Sequence, residues 1–223
     1  MKLTLPPLLS LNGGYVDTIG FLASQGLFTA HVTGNFVTIA ATLLHGTSGL
    51  AAKLLALPVF CAVVVVTRLL SGLLPRIGLQ VLASMLVVKL GLLVLAAMLA
   101  LIYGPFATAD SGVAIVTGMV LVSAMAIQNA IHRIHLANAP PTTLMTGTTT
   151  QIMIDIADLL HGAVGEARGT AKARLGRMAV SVFAFALGCG LAALAYIALG
   201  NWAFSVPPVL ALVVLGLHAR VAE

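Results

Sequence analysis

The chain has 223 residues, of which 60% are hydrophobic and 8% are charged. A soluble domain carries roughly 25% charged residues, so this composition excludes a soluble globular protein and predicts a membrane protein. The formal net charge of +5 is modest, and no basic stripe with interleaved aromatic residues accompanies it. We therefore expect basic cytoplasmic loops and no nucleic-acid partner.

The sequence of the first half predicts one apolar segment with interspersed polar residues, one short helix and two long spans. No cleavable signal peptide is expected over residues 1–10. The long spans each reach the roughly 20 residues that cross a hydrocarbon core, whereas the short helix is about half a membrane thick. In chain order these elements are residues 12–28, the short helix 36–44, and the spans 54–74 and 79–103.

The second half repeats this order. The Thr33-Gly34 pair returns 113 residues later as Thr146-Gly147, and the tetrapeptide Leu-Leu-His-Gly that begins at Leu43 returns 116 residues later. The second short helix is therefore about one turn longer than the first. Its elements are the span 113–131, the short helix 146–160, a charged loop 161–177, and the spans 178–199 and 206–217.

These elements predict an all-α polytopic membrane protein. We expect about six transmembrane helices in two inverted repeats of three, each repeat containing a broken or re-entrant half-helix. The repeats are residues 1–110 and 111–223, within one integral membrane domain. Three crossings per repeat give the two halves opposite orientations. Inverted repeats with interrupted helices are typical of transporters, whose site lies near the bilayer midplane.

Loop charges predict the orientation. Loop 104–112 contains no Lys or Arg and should face outward, whereas loop 162–177 carries four bases and should face the cytoplasm. Both loops agree only if neither short helix is a full span. The prediction is therefore that both termini are cytoplasmic.

The two Thr-Gly motifs are small polar clusters inside apolar runs. A Thr before a helix can accept hydrogen bonds from free N–H groups as an N-cap, and a helix N-terminus attracts anions or dipoles. The alternative is that the motifs serve packing alone. The predicted substrate-binding residues are the motif residues and two nearby amides: Thr33, Gly34, Asn35, Thr146, Gly147, Thr148, Gln128 and Asn129.

Ionisable groups inside the membrane are functional candidates because they are costly there. Asp17, with His31 or Arg133 as its partner, and Asp155 are predicted to couple a proton or an ion. A structural hydrogen-bond acceptor is the alternative. Lys89 is expected to extend its ammonium group to the membrane surface. No motif indicates a catalytic residue, a metal site or a cofactor.

Two blocks of sequence carry a resemblance. Gly14-Tyr15-Val16-Asp17 followed by His31-Val32-Thr33-Gly34-Asn35, and later Ala126-Ile127-Gln128-Asn129-Ala130 with Met145-Thr146-Gly147-Thr148, resemble the YoaK-like bacterial membrane proteins. The resemblance covers nearly the whole chain. It implies a bacterial inner-membrane protein of about six helices, and it implies no substrate.

Three functions are consistent with these features. The first is a secondary transporter or facilitative permease for a small polar or anionic solute, with the lipid bilayer and the solute or an ion as its partners. The second is a membrane structural or assembly protein in which the motifs serve packing. The third is an intramembrane enzyme using Asp17 or Asp155 with His31, which the lack of a second ionisable group nearby disfavours. A homodimer is open in each case.

Overall fold

A computed structural model describes residues 5–222 of the chain. Predictions about residues 1–4, including part of the signal-peptide prediction, lie outside the described residues. Within this part every regular element is helical, as expected. The eight α-helices are α1 Leu5–Ala23, α2 Asn35–His45, α3 Leu50–Leu73, α4 Val81–Tyr103, α5 Gly112–His135, α6 Met145–Leu160, α7 Gly165–Leu199 and α8 Val206–Ala222.

Long apolar helices dominate the fold. Four helical stretches are long and apolar enough to cross a membrane: Leu50–Ile77, Val81–Tyr103, Gly112–His135 and the α7–α8 stretch Gly165–Arg220. Large apolar side chains lie exposed along them, for example Val65, Ile102 and Ile197. Such a surface is unfavourable in water, so these helices indicate a membrane-embedded protein.

Two helix boundaries differ from the sequence prediction. The predicted segment 12–28 is instead α1, which begins at Leu5 because prolines are tolerated in a first turn. It ends at Ala23 because Gln25 and Gly26 both have positive φ. The predicted loop 161–177 is wrong over most of its length, since α7 already begins at Gly165. The alanines and arginines after Gly165, and Lys172 among them, are strong helix formers, so the charges lie on a helix end.

The helices pack in a pattern that recurs between the two halves. Helix α1 packs on α7, and α5 packs on α3; α2 packs on α3, and α6 packs on α7. Helix α4 packs on α5, and α8 packs on α1, while α4 and α8 contact each other. Helices α1 and α5 carry more buried residues than any other helix, so these two helices form the centre of the bundle.

Glycines set the closest approach in the bundle. A Cβ added at Gly14 on α1 would lie 2.1 Å from the Phe185 carbonyl oxygen, and one added at Gly188 on α7 would lie 2.1 Å from the Leu11 carbonyl oxygen. Only glycine fits at such a crossing. The two backbones therefore touch near the middle of α1, where the polar residues of this helix are buried.

Candidate functional site

Asp17 anchors the irregular segment that follows α1. Its carboxylate oxygen Oδ1 accepts hydrogen bonds from the backbone N–H groups of Thr29 at 2.8 Å and Ala30 at 2.7 Å. Its second oxygen lies 2.6 Å from His31 Nδ1. Asp17 is 5% exposed, so these groups replace water around a buried carboxylate. Of the two partners expected from the sequence, the structure selects His31.

Asn35 closes the same segment on itself. Its Oδ1 accepts from the backbone N–H of Phe28 at 2.9 Å, and its Nδ2 donates to the Phe28 carbonyl at 2.8 Å. Gly34 lies against the Phe28 ring, where an added Cβ would be 2.9 Å from a ring carbon. Two of the three residues of the first motif therefore hold the backbone between α1 and α2.

The expected capping by the motif threonines is wrong at both sites. Thr33 lies in a short 3₁₀ turn before α2 and is exposed, and neither the turn nor α2 has a side-chain cap. Thr146 lies inside the first turn of α6, two residues after the N-cap Leu144, and it and Gly147 are exposed. Thr148 is buried and donates to the Leu144 carbonyl at 3.1 Å.

Two threonines that sequence reasoning missed lie at the centre of the site. Thr29 and Thr142 each lie four residues before a motif threonine, which places them 113 residues apart. They are 0% and 1% exposed. Thr29 is held by Asp17, and Thr142 Oγ1 accepts from Gln128 Nε2 at 3.2 Å. The repeat offset that identified the motifs also contained this signal.

Gln128 joins three parts of the fold. Besides Thr142, its Nε2 donates to the Leu9 carbonyl on α1 at 2.9 Å. Its Oε1 accepts from Lys89 on α4. The expectation that Lys89 reaches the membrane surface is wrong: the side chain is 1% exposed, because Lys89 lies well inside α4.

Asn129 binds the segment between α5 and α6. Its Oδ1 accepts from Thr143 Oγ1 at 2.7 Å, and its Nδ2 donates to the Met125 carbonyl at 2.9 Å. Gln128 and Asn129 thus hold Thr142 and Thr143 much as Asp17 holds Thr29 and Ala30. In each half, a long helix carries polar side chains that bind the irregular chain just before a Thr-Gly motif.

The two irregular segments meet inside the molecule. The backbone of Thr143 lies beside the His31 ring. The same ring lies edge-on to Phe185 of α7, with ring centres 5.5 Å apart. An added Cβ at Gly13 would lie 3.0 Å from the Thr142 carbonyl oxygen. The structure therefore brings the candidate residues Asp17 and His31 next to the second segment.

A cavity of about 330 Å³ opens beside the second segment. Its walls come from the end of α5, the segment before α6 and the first part of α7. Three of its residues are arginines, and none of its residues is acidic. The polar residues that line it are Asn129, His132, Arg133, Asn138, Thr142, Thr143, Arg174 and Arg177.

Asp155 lies away from Asp17 and joins α6 to α7. Arg174 Nε donates to both of its carboxylate oxygens, at 2.9 and 3.2 Å, and Gln151 Nε2 donates at 2.9 Å. Asp155 is fully buried. The Arg174 guanidinium holds the pKa of this carboxyl below its usual range, and the Gln151 amide adds to the effect. Asp155 is therefore an ionised group with a fixed partner.

The fold and site define an all-helical protein with membrane-type apolar helices around a buried polar centre. The chain belongs to the family described as "Protein of unknown function (DUF1275)", which it matches over residues 5–217. The YoaK-like proteins belong to this family, so the resemblance seen in the sequence is confirmed. A search of curated proteins and a search of solved structures each found no match.

Proposed function

We propose that this protein is a secondary transporter or facilitative permease for a small polar or anionic solute in the bacterial inner membrane. One observation carries the proposal: irregular segments from both halves pack against α1, where Asp17 accepts hydrogen bonds from Thr29 and Ala30 and Gly13 faces the Thr142 carbonyl oxygen. Non-helical backbone at membrane depth is tolerated only where it is buried in protein or lines a water-filled cavity. Two such segments meeting at one point is an arrangement that transporters use to bind a solute.

We infer that each irregular segment and its short helix form a re-entrant element. Thr29 and Ala30 bind Asp17, six residues before the end of α1. Ser48, just after α2, donates to Gln25, just after α1. The chain therefore turns back along α1 and then returns with α2 to the end of α1. This course supports a half-helix that does not cross.

The recurring packing supports two inverted repeats. Exchanging α1–α4 for α5–α8 converts the packing of α1 on α7 into that of α5 on α3, and the other pairs exchange in the same way. With α2 and α6 as re-entrant elements, six helices cross, three in each half. An odd number of crossings gives the halves opposite orientations, with both termini cytoplasmic.

Within this proposal, Asp17 and His31 are the coupling pair. The pair lies at the meeting point of the two segments, and the His31 side chain is 31% exposed. Asp155 has the weaker case, because its carboxylate is already bound by Arg174. We propose that Asp155 instead holds α6 against α7.

Flux into liposomes tests the proposal. Purified protein would be reconstituted and assayed for uptake of small anions and neutral polar solutes, with and without a pH gradient. We expect saturable uptake of at least one solute. Asp17→Asn should abolish the stimulation by the pH gradient, whereas Asp158→Asn should retain it, because Asp158 is exposed on α6. Absence of flux for every solute, in protein that remains folded, would contradict transport.

One observation favours a structural or assembly role instead. The side-chain amides of Asn35 and Gln128 bind parts of the protein itself, and both Nε2 protons of Gln128 are used. Two results together would support this role: the purified protein shows no flux, and other membrane proteins fail to assemble in cells that lack it.

We propose no enzymatic activity. Chemical turnover of a solute in the same liposomes would refute this part of the proposal. Self-association as a homodimer is a further proposal.

A further inference from the structure

The cavity at the end of α5 has the charge and geometry of an anion site. Arg133 and Arg177 line it, and within the described residues neither has an acidic side chain within 4 Å. The third arginine, Arg174, is neutralised by Asp155. Two arginine forks without carboxylate partners therefore face one space. A guanidinium binds carboxylate or phosphate oxygens through two parallel hydrogen bonds.

A second, independent observation comes from His132. Its side chain borders the cavity and is 8% exposed, and its buried Nδ1 has no hydrogen-bond partner. A buried polar atom without a partner is costly. This nitrogen has almost no accessible surface, so an anion in the cavity could accept a hydrogen bond from it only after the ring turns toward the cavity.

The N-terminus of α6 adds to the same field. Leu144 lines the cavity and is the last residue before α6, a helix of 16 residues without a side-chain cap. Its first N–H groups are therefore not bound by a capping side chain. Such an N-terminus carries partial positive charge and favours an anion nearby. The volume of about 330 Å³ lies at the low end of ligand pockets and fits a small solute.

We propose that this cavity binds the phosphate or carboxylate group of a small anion, with Arg133 and Arg177 as its principal ligands. This inference deepens the proposed function and rests on it, because it names the solute class. The cavity borders Thr142 and Thr143, so an anion there lies next to the segment that meets His31.

Equilibrium binding tests the inference without requiring transport. Delipidated full-length protein in a neutral detergent would be titrated with inorganic phosphate and with succinate, and its thermal stability recorded. Sodium chloride at matched ionic strength corrects for screening. We expect saturable stabilisation by at least one oxyanion, since a ligand that binds the folded state alone raises its stability.

Three variants identify the site. Arg133→Gln and Arg177→Gln should each raise the half-saturating concentration roughly tenfold or more, because each removes charge-assisted hydrogen bonds. Arg168→Gln is the matched control: it removes the same charge from an exposed position on α7 that does not line the cavity. This control should bind as the natural protein does. Equal half-saturation in all three variants overturns the inference.

The source of the oxyanion is decided by a parallel titration with lipid. Phosphatidylglycerol and phosphatidylcholine would be added separately to the same delipidated protein. Arg133- and Arg177-dependent stabilisation by the free anions supports a solute site. The same dependence with phosphatidylglycerol alone supports the oxyanion chemistry with a lipid headgroup as its source. Arginine-dependent binding without flux supports the cavity and refutes transport. Flux together with oxyanion binding that is unchanged in both arginine variants refutes the cavity and supports transport.

Discussion

At the scale of single residues, Asp17 does more for the fold than its position in the sequence suggests. It accepts two backbone hydrogen bonds from the segment after α1 and faces His31 with its other oxygen. Hydrogen bonds to an ionised group contribute roughly 1.5–3 kcal/mol each. One buried carboxylate thus fixes the course of the first irregular segment.

We predict that Asp17 and His31 are energetically coupled. Asp17→Asn keeps one acceptor oxygen but places an NH₂ group opposite His31 Nδ1, so it should lower the free energy of unfolding. In a double-mutant cycle with His31→Asn, the two losses should depart from additivity by roughly 0.5–3 kcal/mol, as for other residues in contact. The measurement is thermal or chemical unfolding in detergent.

The control for this cycle replaces His31→Asn by His45→Asn. His45 lies at the exposed end of α2, and within the described residues its side chain makes no hydrogen bond. Asp17→Asn and His45→Asn should be additive. Additivity of the Asp17 and His31 substitutions as well would mean that their contact contributes no coupling.

Sequence patterns identified the ionisable residues but not all of their surroundings. A carboxylate in an apolar segment requires a partner, so His31 and Arg133 could be named in advance as candidates for Asp17, and the structure selects His31. The prediction that the Lys89 ammonium group reaches the membrane surface was wrong. Hydropathy identifies apolar residues, but it does not report how many other helices surround a given helix. Its partner Gln128 lies on another helix, 39 residues away, and that contact depends on the packing of α4 against α5.

At the scale of helices, the crossing of α1 and α7 depends on glycine. Gly188 faces the Leu11 carbonyl oxygen and the Tyr15 backbone nitrogen, whereas Gly190 on the same helix has open space around it. The two glycines therefore differ in their surroundings although both lie on α7. Positions 188 and 190 are two residues apart on one helix, and residues at this separation lie on different faces of the helix.

We predict that Gly188→Ala destabilises the protein and that Gly190→Ala does not. The added methyl group at Gly188 would lie 2.1 Å from a backbone oxygen, so the helices must separate. Overpacking of this kind typically costs about 1–3 kcal/mol. The checks are the thermal stability and the monodisperse fraction in detergent. Equal stability of the two variants would mean that α1 and α7 do not pack as closely as described.

At the scale of the whole molecule, the order of elements in the two halves was predictable from the sequence, whereas the contacts between the halves were not. The motif offset of 113 residues is visible in the sequence, and α2 and α6 are the short helices it predicted. The meeting of His31 with Thr143 involves contacts between elements more than 100 residues apart. No local pattern encodes such a contact, so the cavity beside it was also missed.

The contacts between loops yield a test of the re-entrant arrangement. Ser48 Oγ accepts from the backbone N–H of Ala109 at 3.3 Å, so the loop after α2 and the loop after α4 lie at one end of the molecule. Helices α3 and α4 are the two crossings that separate these loops, and because loop 104–112 carries no Lys or Arg, both loops are expected on the periplasmic side. If the halves are inverted, the end of α6 and the start of α7 lie on the cytoplasmic side.

Single-cysteine labelling in whole cells decides this topology. After Cys61 and Cys189 are replaced by alanine, an impermeant thiol reagent should label Thr47→Cys and Asp110→Cys from outside. It should label Gly162→Cys and Lys172→Cys only after the membrane is opened, because positive charge is retained in the cytoplasm. All four positions are exposed, so accessibility reports the side of the membrane. Between Asp110 and Gly162 lie α5 and α6, so labelling of Gly162→Cys from the same side as Asp110→Cys would make α6 a full crossing and contradict the inverted repeat.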